Sequence, residues 1–154
     1  MSSVGVIIQA RINSSRLPGK VMKTIDTKPM LSHVLNQVNN SKNVDIVILA
    51  TSDQSDDDVI EEFCKNQNQI CFRGSKNDLL DRYYKCAKQF NLDIIVRITS
   101  DCPLIDPELI DKMISHFMKN DNDYYSNNFE KINGNWENSK CNFPQGMTVE
   151  ICTF

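Results

Sequence analysis

The sequence predicts an α/β fold, a mostly parallel sheet with helices on both sides, and three observations predict it. Four apolar runs have strand length, the segments between them carry apolar residues at helical spacing, and polar clusters follow each run. At 154 residues and 40% apolar composition, the expectation is a single domain with a real core.

The first run, residues 4–10, contains Val6-Ile7-Ile8, and the second, residues 44–50, contains Ile46-Val47-Ile48-Leu49. Unbroken apolar runs suit strands covered on both faces, as in a parallel sheet. Residues 70–72 and 94–98 supply two more. Between them, Met30, Leu31, Val34, Leu35 and Val38 recur at i, i+1, i+4, i+5 and i+8, the stripe of one helix. Val59, Ile60, Phe63 and Cys64 make a second stripe, Leu79, Leu80, Tyr83, Ala87 and Phe90 a third, and Leu109, Ile110, Met113, Ile114 and Phe117 a fourth. Pro29 suits a first helical turn, and Asp106-Pro107-Glu108 reads as N-cap, N1 and N2. The run Asp53, Asp56, Asp57 and Asp58 reads as a solvated acidic start to the second helix. Strand and helix alternate four times, which calls for right-handed crossovers. Beyond Phe117 the pattern weakens: residues 123–126 read as a short strand, 127–142 as a polar loop around Gly134, and 147–151 as a strand with one wetter face.

A net charge of -3 argues against a protein held by bulk charge to nucleic acid or to a membrane surface. Any anion site must be local. The start of the chain lacks a basic signal region, and no apolar run approaches the roughly 18 residues of a membrane span, so a cytoplasmic protein is expected. The six cysteines include no C-x-x-C pair and read as reduced, mostly buried thiols.

In an open α/β sheet ligands bind outside the carboxyl ends of the strands. Here those ends carry Gln9 to Lys20, Thr51-Ser52-Asp53, Arg73-Gly74-Ser75 and Thr99-Ser100-Asp101-Cys102-Pro103, and they should converge on one crevice. Arg11, Arg16 and Lys20, with Ser14, Ser15 and the backbone N–H groups beside Gly19, are what a polyphosphate needs: fixed charge, hydroxyl donors and close backbone approach. The competing reading is a solvated basic loop. It is not a Walker A loop, because Ser14 stands where the first glycine belongs and Val21 follows Lys20 in place of Ser or Thr. Asp101 is placed to hold Mg²⁺ against phosphates, or else to close a turn. Arg73 and Arg97 could each reach a phosphate or a base edge, and Arg97 could equally pair with an interior carboxylate. Asp78 and Arg82 read as an i,i+4 structural pair, and His33 and His116 lack a nucleophile to serve.

The stretches Ile8-Gln9-Ala10-Arg11, Ser14-Ser15-Arg16-Leu17-Pro18-Gly19-Lys20, Ala50-Thr51-Ser52-Asp53, Arg73-Gly74-Ser75, Asp81-Arg82-Tyr83-Tyr84 and Val96-Arg97-Ile98-Thr99-Ser100-Asp101-Cys102-Pro103-Leu104-Ile105-Asp106 resemble the spore-coat polysaccharide synthesis protein F group. These are cytidylyltransferases related to CMP-sialic acid and CMP-KDO synthetases. The resemblance implies a Rossmann-like, three-layer α/β/α sandwich of the nucleotide-diphospho-sugar transferase type. It also implies transfer of CMP from CTP to an acidic or amino sugar, with release of pyrophosphate. By motif, Arg11, Arg16 and Lys20 would grip the triphosphate, and Gln9 and Ala10 would lie near the nucleotide. Arg73 and Thr99 would frame its pocket, and Asp101 would hold Mg²⁺. The alternative is a nucleotide-binding module of the same fold that no longer turns over. Members of that group read Pro-Asp-Gly-x-Asp-Val-Glu where this chain has Pro144-Gln145-Gly146-Met147-Thr148-Val149-Glu150. They also continue into a C-terminal part that carries further helices, a dimer contact and a second metal-binding aspartate. The expectation is one nucleotidyltransferase-like domain over residues 1–154 without that part, with CTP and a small sugar as partners and a homodimer as one possible assembly.

Overall fold

The computed structural model describes residues 2–14, 16–127, 129–132, 135–138 and 146–154, with 129–132 and 135–138 described as backbone. In chain order its elements are β1 (Val4–Gln9), β2 (Thr24–Ile25), β3 (Lys28–Pro29), α1 (Met30–Asn39), β4 (Ile46–Ser52), α2 (Asp58–Asn66), β5 (Ile70–Gly74), α3 (Leu79–Gln89), β6 (Ile94–Thr99), α4 (Pro107–Lys119), β7 (Tyr124–Ser126), β8 (Phe129–Ile132), β9 (Asn135–Asn138) and β10 (Glu150–Thr153).

The central sheet has the order β5-β4-β1-β6-β10-β7. β1, the first apolar run, lies in the middle, parallel to β4 on one side and to β6 on the other, with Gln9 opposite both Ala50 and Thr99. β5 extends the parallel set beside β4, while β10 runs antiparallel to β6. Successive strand residues point to opposite faces, and this parity sorts the core into two layers. Val6, Ile8, Leu49, Val96 and Ile98 meet the stripes of α1, α2 and α4, including Val34, Ile60 and Ile110. Ile7, Ile48, Ala50, Phe72 and Ile95 meet Tyr83, Cys86 and Ala87 of α3. The result is the expected mostly parallel α/β/α sandwich. Burial of each such aliphatic side chain contributes about 1.5–3 kcal/mol, so the sheet centre is where the fold is held.

Asp106 caps α4 as its sequence suggests, accepting the Glu108 N–H at 2.9 Å, with Pro107 in the first turn. Pro29 does not open the first turn of α1. Its ψ of 144° is extended, and it pairs with Thr24 in the small β2–β3 hairpin, one residue before the helix. The strand expected over residues 147–151 starts later, at Glu150. The Asn127 side chain takes the Val149 N–H at 2.9 Å and donates to the Met147 carbonyl at 2.8 Å, so a side chain occupies those backbone groups before the ladder begins. The expected polar loop over 127–142 contains the antiparallel β8–β9 hairpin, whereas Gly134 lies outside the described residues. The five described cysteines are free, and Cys141 lies outside the described residues. Among the described residues no helix is long and apolar enough to cross a membrane.

Candidate active site

The loop after β1 is built on one peptide unit. Ala10 still follows the sheet, donating to the Ala50 carbonyl at 3.0 Å. The chain then turns outward, and the Ile12 carbonyl accepts from both Ser14 N–H (2.9 Å) and Gly19 N–H (2.8 Å), closing residues 12–19 into a ring. Gly19 sits at φ +69°, a left-handed conformation that a side chain disfavours, and it delivers the chain into the short turn Lys20–Met22. The outer side of the loop is held by the corner after β4. Asp57 accepts the Ile12 N–H at 2.8 Å, and Asp56 accepts from the Asn13 side chain at 2.7 Å.

At the carboxyl ends of β1 and β6, on the α3 face, opens a cavity of about 460 Å³. Gln9, Ala10, Arg11, Ser14, Arg16, Lys20, Thr99 and Asp101 all line it. The basic loop therefore faces a shared crevice. Lys20 forms an ion pair with Asp101 at its rim. Burial pushes the Asp101 carboxyl up, but the hydrogen bonds from Lys20 and Thr99 and the Lys20 charge hold it, on balance, below the usual carboxylate range. Gln9 is fixed on the cavity floor, its side-chain oxygen 3.3 Å from the Tyr83 hydroxyl and 3.4 Å from Arg97 Nε. Ser15 lies outside the described residues.

Arg73 is elsewhere. It shares strand parity with Cys71, whose side chain packs into the α2 layer, and it points to α2 rather than to the crevice. There its guanidinium donates to Asp58 (2.6 Å), Glu61 (2.7 Å), the Ser52 carbonyl (3.0 Å) and the Gln54 carbonyl (2.7 Å). Arg97 pairs with a carboxylate, forming an ion pair with Glu150, though 35% of its side chain stays exposed and it is not interior. His33 bonds the Ile25 carbonyl at 2.8 Å and His116 stacks on Tyr125, so neither approaches the cavity.

Two residues depart from their sequence assignments, Arg82 in the cavity wall and Asp57 in the corner behind the loop. Arg82 does not pair with Asp78, which instead caps α3 by accepting the Asp81 N–H at 2.9 Å. The arginine is 1% exposed, lines the cavity, and its Nε and Nη1 have no hydrogen-bond partner among the described residues. Burial and the neighbouring Arg11 charge push its pKa down. Gly74 makes room for it: a Cβ there would stand 2.9 Å from the Phe72 ring and 3.1 Å from the Arg82 stem. Asp57 is not solvated but 3% exposed. Sequence reasoning assigns the first a structural role, although the motif Asp81-Arg82-Tyr83-Tyr84 is a signal that could have found it, and only the buried corner reveals the second.

The donor chemistry fits a magnesium ion. Asp101 offers a hard carboxylate with 38% of its side chain exposed at the cavity rim. Mg²⁺ is commonly held by one or two carboxylates together with substrate phosphates and water. Among the described residues no cluster of three or more His, Cys, Asp or Glu could form a self-contained metal centre.

A cationic crevice with one rim carboxylate thus lies at the carboxyl edge of a doubly covered parallel sheet, where open α/β folds bind their ligands. Residues 5–143 match the cytidylyltransferase family. The chain is 38% identical over 128 residues to the spore coat polysaccharide biosynthesis protein SpsF of Bacillus subtilis, covering 80% of this chain and 53% of that protein. Its fold superposes on a cytidylyltransferase from Leptospira borgpetersenii with a TM-score of 0.88 at 37% identity, covering 99% of this chain and 61% of that one. It also superposes on a CMP:2-keto-3-deoxy-manno-octonic acid synthetase complexed with CTP, with a TM-score of 0.67 at 26% identity over 77% of this chain and 48% of that one. The chain belongs to the cytidylyltransferase family, and it spans about half the length of the curated relatives it matches.

Proposed function

We propose that this chain binds CTP in the crevice and, with Mg²⁺, transfers CMP to the hydroxyl of an acidic or amino sugar for surface-glycan synthesis, releasing pyrophosphate. The observation that carries the reading is the meeting of Arg11, Arg16, Lys20 and Arg82, two of whose nitrogens are unbonded, with Asp101 in one cavity. A triphosphate needs several cations at fixed positions, and an arginine buried with two empty donors is poised for an oxyanion.

In this reading Arg11, Arg16 and Lys20 neutralise the phosphate tail, and the ring of residues 12–19 brings backbone N–H groups close to it. Arg82 reaches from α3 below, while Gln9, held by Tyr83 and Arg97, sets the floor beside the nucleoside. Mg²⁺ held by Asp101 would neutralise phosphate charge as pyrophosphate leaves. No protein nucleophile is required, because phosphoryl-type transfer rests on positioning and charge stabilisation. Lys20 is paired with Asp101 before ligand arrives, so nucleotide binding must draw the ammonium toward phosphate and free the carboxylate.

Titration calorimetry with CTP and Mg²⁺ tests binding, and a pyrophosphate-release assay with acidic and amino sugars tests turnover. Lys20→Ala and Arg16→Ala should each weaken CTP about 10- to 100-fold, the range of a lost charge-assisted contact. Equal affinity in all three proteins would sink the assignment. Binding without pyrophosphate release would favour the second reading, a nucleotide-binding module. What speaks for that reading is that Asp101 is the one carboxylate lining the cavity among the described residues.

A further inference from the structure

We propose that Asp57 is a positioning residue for the phosphate-binding loop: its carboxylate is the fixed post on which the peptide Arg11–Ile12, and through it the whole ring of residues 12–19, is hung. The proposal rests on the nucleotide-binding reading of the crevice and adds to it a residue that does not touch the cavity. Asp57 is absent from the cavity lining, belongs to the corner between β4 and α2, and reads in the sequence as one more acid in a solvated run.

Its two oxygens divide the work. Oδ1 accepts the Ile12 N–H at 2.8 Å, and Oδ2 accepts the Ser52 N–H at 3.1 Å together with the Ser52 hydroxyl. One oxygen thus faces the loop, and the other is locked to the last residue of β4. Ile12 is the loop's hub, since its carbonyl takes both Ser14 and Gly19 N–H groups. With the Ala10 N–H held by the Ala50 carbonyl and the Ile12 N–H held by Asp57, the backbone on either side of Arg11 is fixed to the β4 end. Among the described residues Arg11 itself makes only a long 3.5 Å contact with the Lys76 carbonyl, so what aims its guanidinium is the backbone beneath it. A carboxylate suits the post because a neutral amide at 57 would turn an N–H₂ toward one of two N–H donors. Burial pushes the Asp57 carboxyl up, but the bonds from Ile12 and Ser52 outweigh it and hold the group below the usual range, ionised at neutral pH. The buried negative charge also lies under the cationic loop and Arg82, where it offsets their mutual repulsion.

The test compares the wild-type protein with Asp57→Ala, Asp57→Asn and Ser52→Ala. Amide hydrogen exchange reads the loop without any ligand, and calorimetric titration with CTP and Mg²⁺ reads the site. Asp57→Ala should accelerate exchange at Ile12 and Gly19 by at least tenfold while Val6 and Ile8 in β1 stay protected, and should weaken CTP by a similar factor. Asp57→Asn keeps an oxygen for one partner and should fall between. Ser52→Ala loosens only the corner and should leave CTP affinity within about threefold of wild type. If Asp57→Ala does not fold, the comparison of Asp57→Asn with Ser52→Ala decides: equal loop exchange and equal affinity in those two overturns the proposal. Unchanged exchange at Ile12 in a folded Asp57→Ala protein also overturns it. Failure of the wild type to bind CTP would instead remove the nucleotide reading, and the exchange data would still report whether Asp57 holds the loop.

Discussion

Arg73 at the end of β5 and Arg82 in the first half of α3 are neighbours in the chain and opposites in the fold. Arg73 keeps 24% of its side chain in solvent, yet donates to two carboxylates and two backbone carbonyls. Arg82 is almost wholly buried, and two of its nitrogens have no partner. A buried cation left unpaired costs several kcal/mol, so the surrounding structure must enforce it. Gly74 and Phe72 do so by shaping a slot for its stem. A guanidinium with all three nitrogens bonded is tied into the architecture, whereas one with two unbonded nitrogens at a cavity wall has donors to offer.

The sharpest way to break this contrast is Arg82→Met. Losing a charged donor set of about 1.5–3 kcal/mol should weaken CTP by roughly 10- to 150-fold in calorimetry. The ligand-free melting temperature should hold or rise, because an apolar chain of similar length removes an unpaired buried charge. A lower melting temperature with unchanged affinity would make Arg82 structural and erase the distinction. Gly74→Ala should act in the same direction and more weakly, about fivefold on CTP, since a Cβ at 3.1 Å pushes the arginine stem by a few tenths of an ångström.

Much of this organisation is legible in the sequence. The unbroken runs around Ile7 and Ile48 give the parallel strands, the four helical stripes give the covering layers, and Asp106-Pro107 marks a helix start that the cap geometry matches. The basic loop and Asp101 are legible as partners because strand ends on one edge of a parallel sheet must lie close together. What escaped is long-range or a matter of parity. Arg73 stands at a strand end, but a one-residue step decides which face it takes. Asp57 reads like its neighbours Asp56 and Asp58 until the loop folds over it. Arg82 has an acid four residues before it, yet the helix turns that acid into a cap. The later start of β10 depends on one asparagine side chain, and no local pattern announces it.

Arg73→Met supplies the mirror experiment to Arg82→Met. Its loss strips donors from Ser52, Gln54, Asp58 and Glu61, so the melting temperature should fall by about 2–5 °C. CTP affinity should stay within about twofold. A tenfold loss of affinity would mean that Arg73 turns into the crevice when nucleotide binds, and the two arginines would then share one task.

The smallest effect lies in the acid limb of stability, where Arg73 acts through a carboxylate it touches. The hydrogen bond from Arg73, reinforced by Lys65, holds the Glu61 carboxyl below its ordinary value of 4.5. With the folded value depressed, the unfolded chain binds the proton first, and stability falls as the pH falls. The Arg73–Glu61 contribution is therefore fully present above pH 4.5 and is lost as the pH drops through the lower folded value. Urea unfolding followed from pH 6 to pH 3 should show a shallower decline for Arg73→Met than for wild type. Because the pair is partly exposed, added salt should shrink the difference. An acid limb as steep in Arg73→Met as in wild type would mean that Arg73 does not set the Glu61 titration.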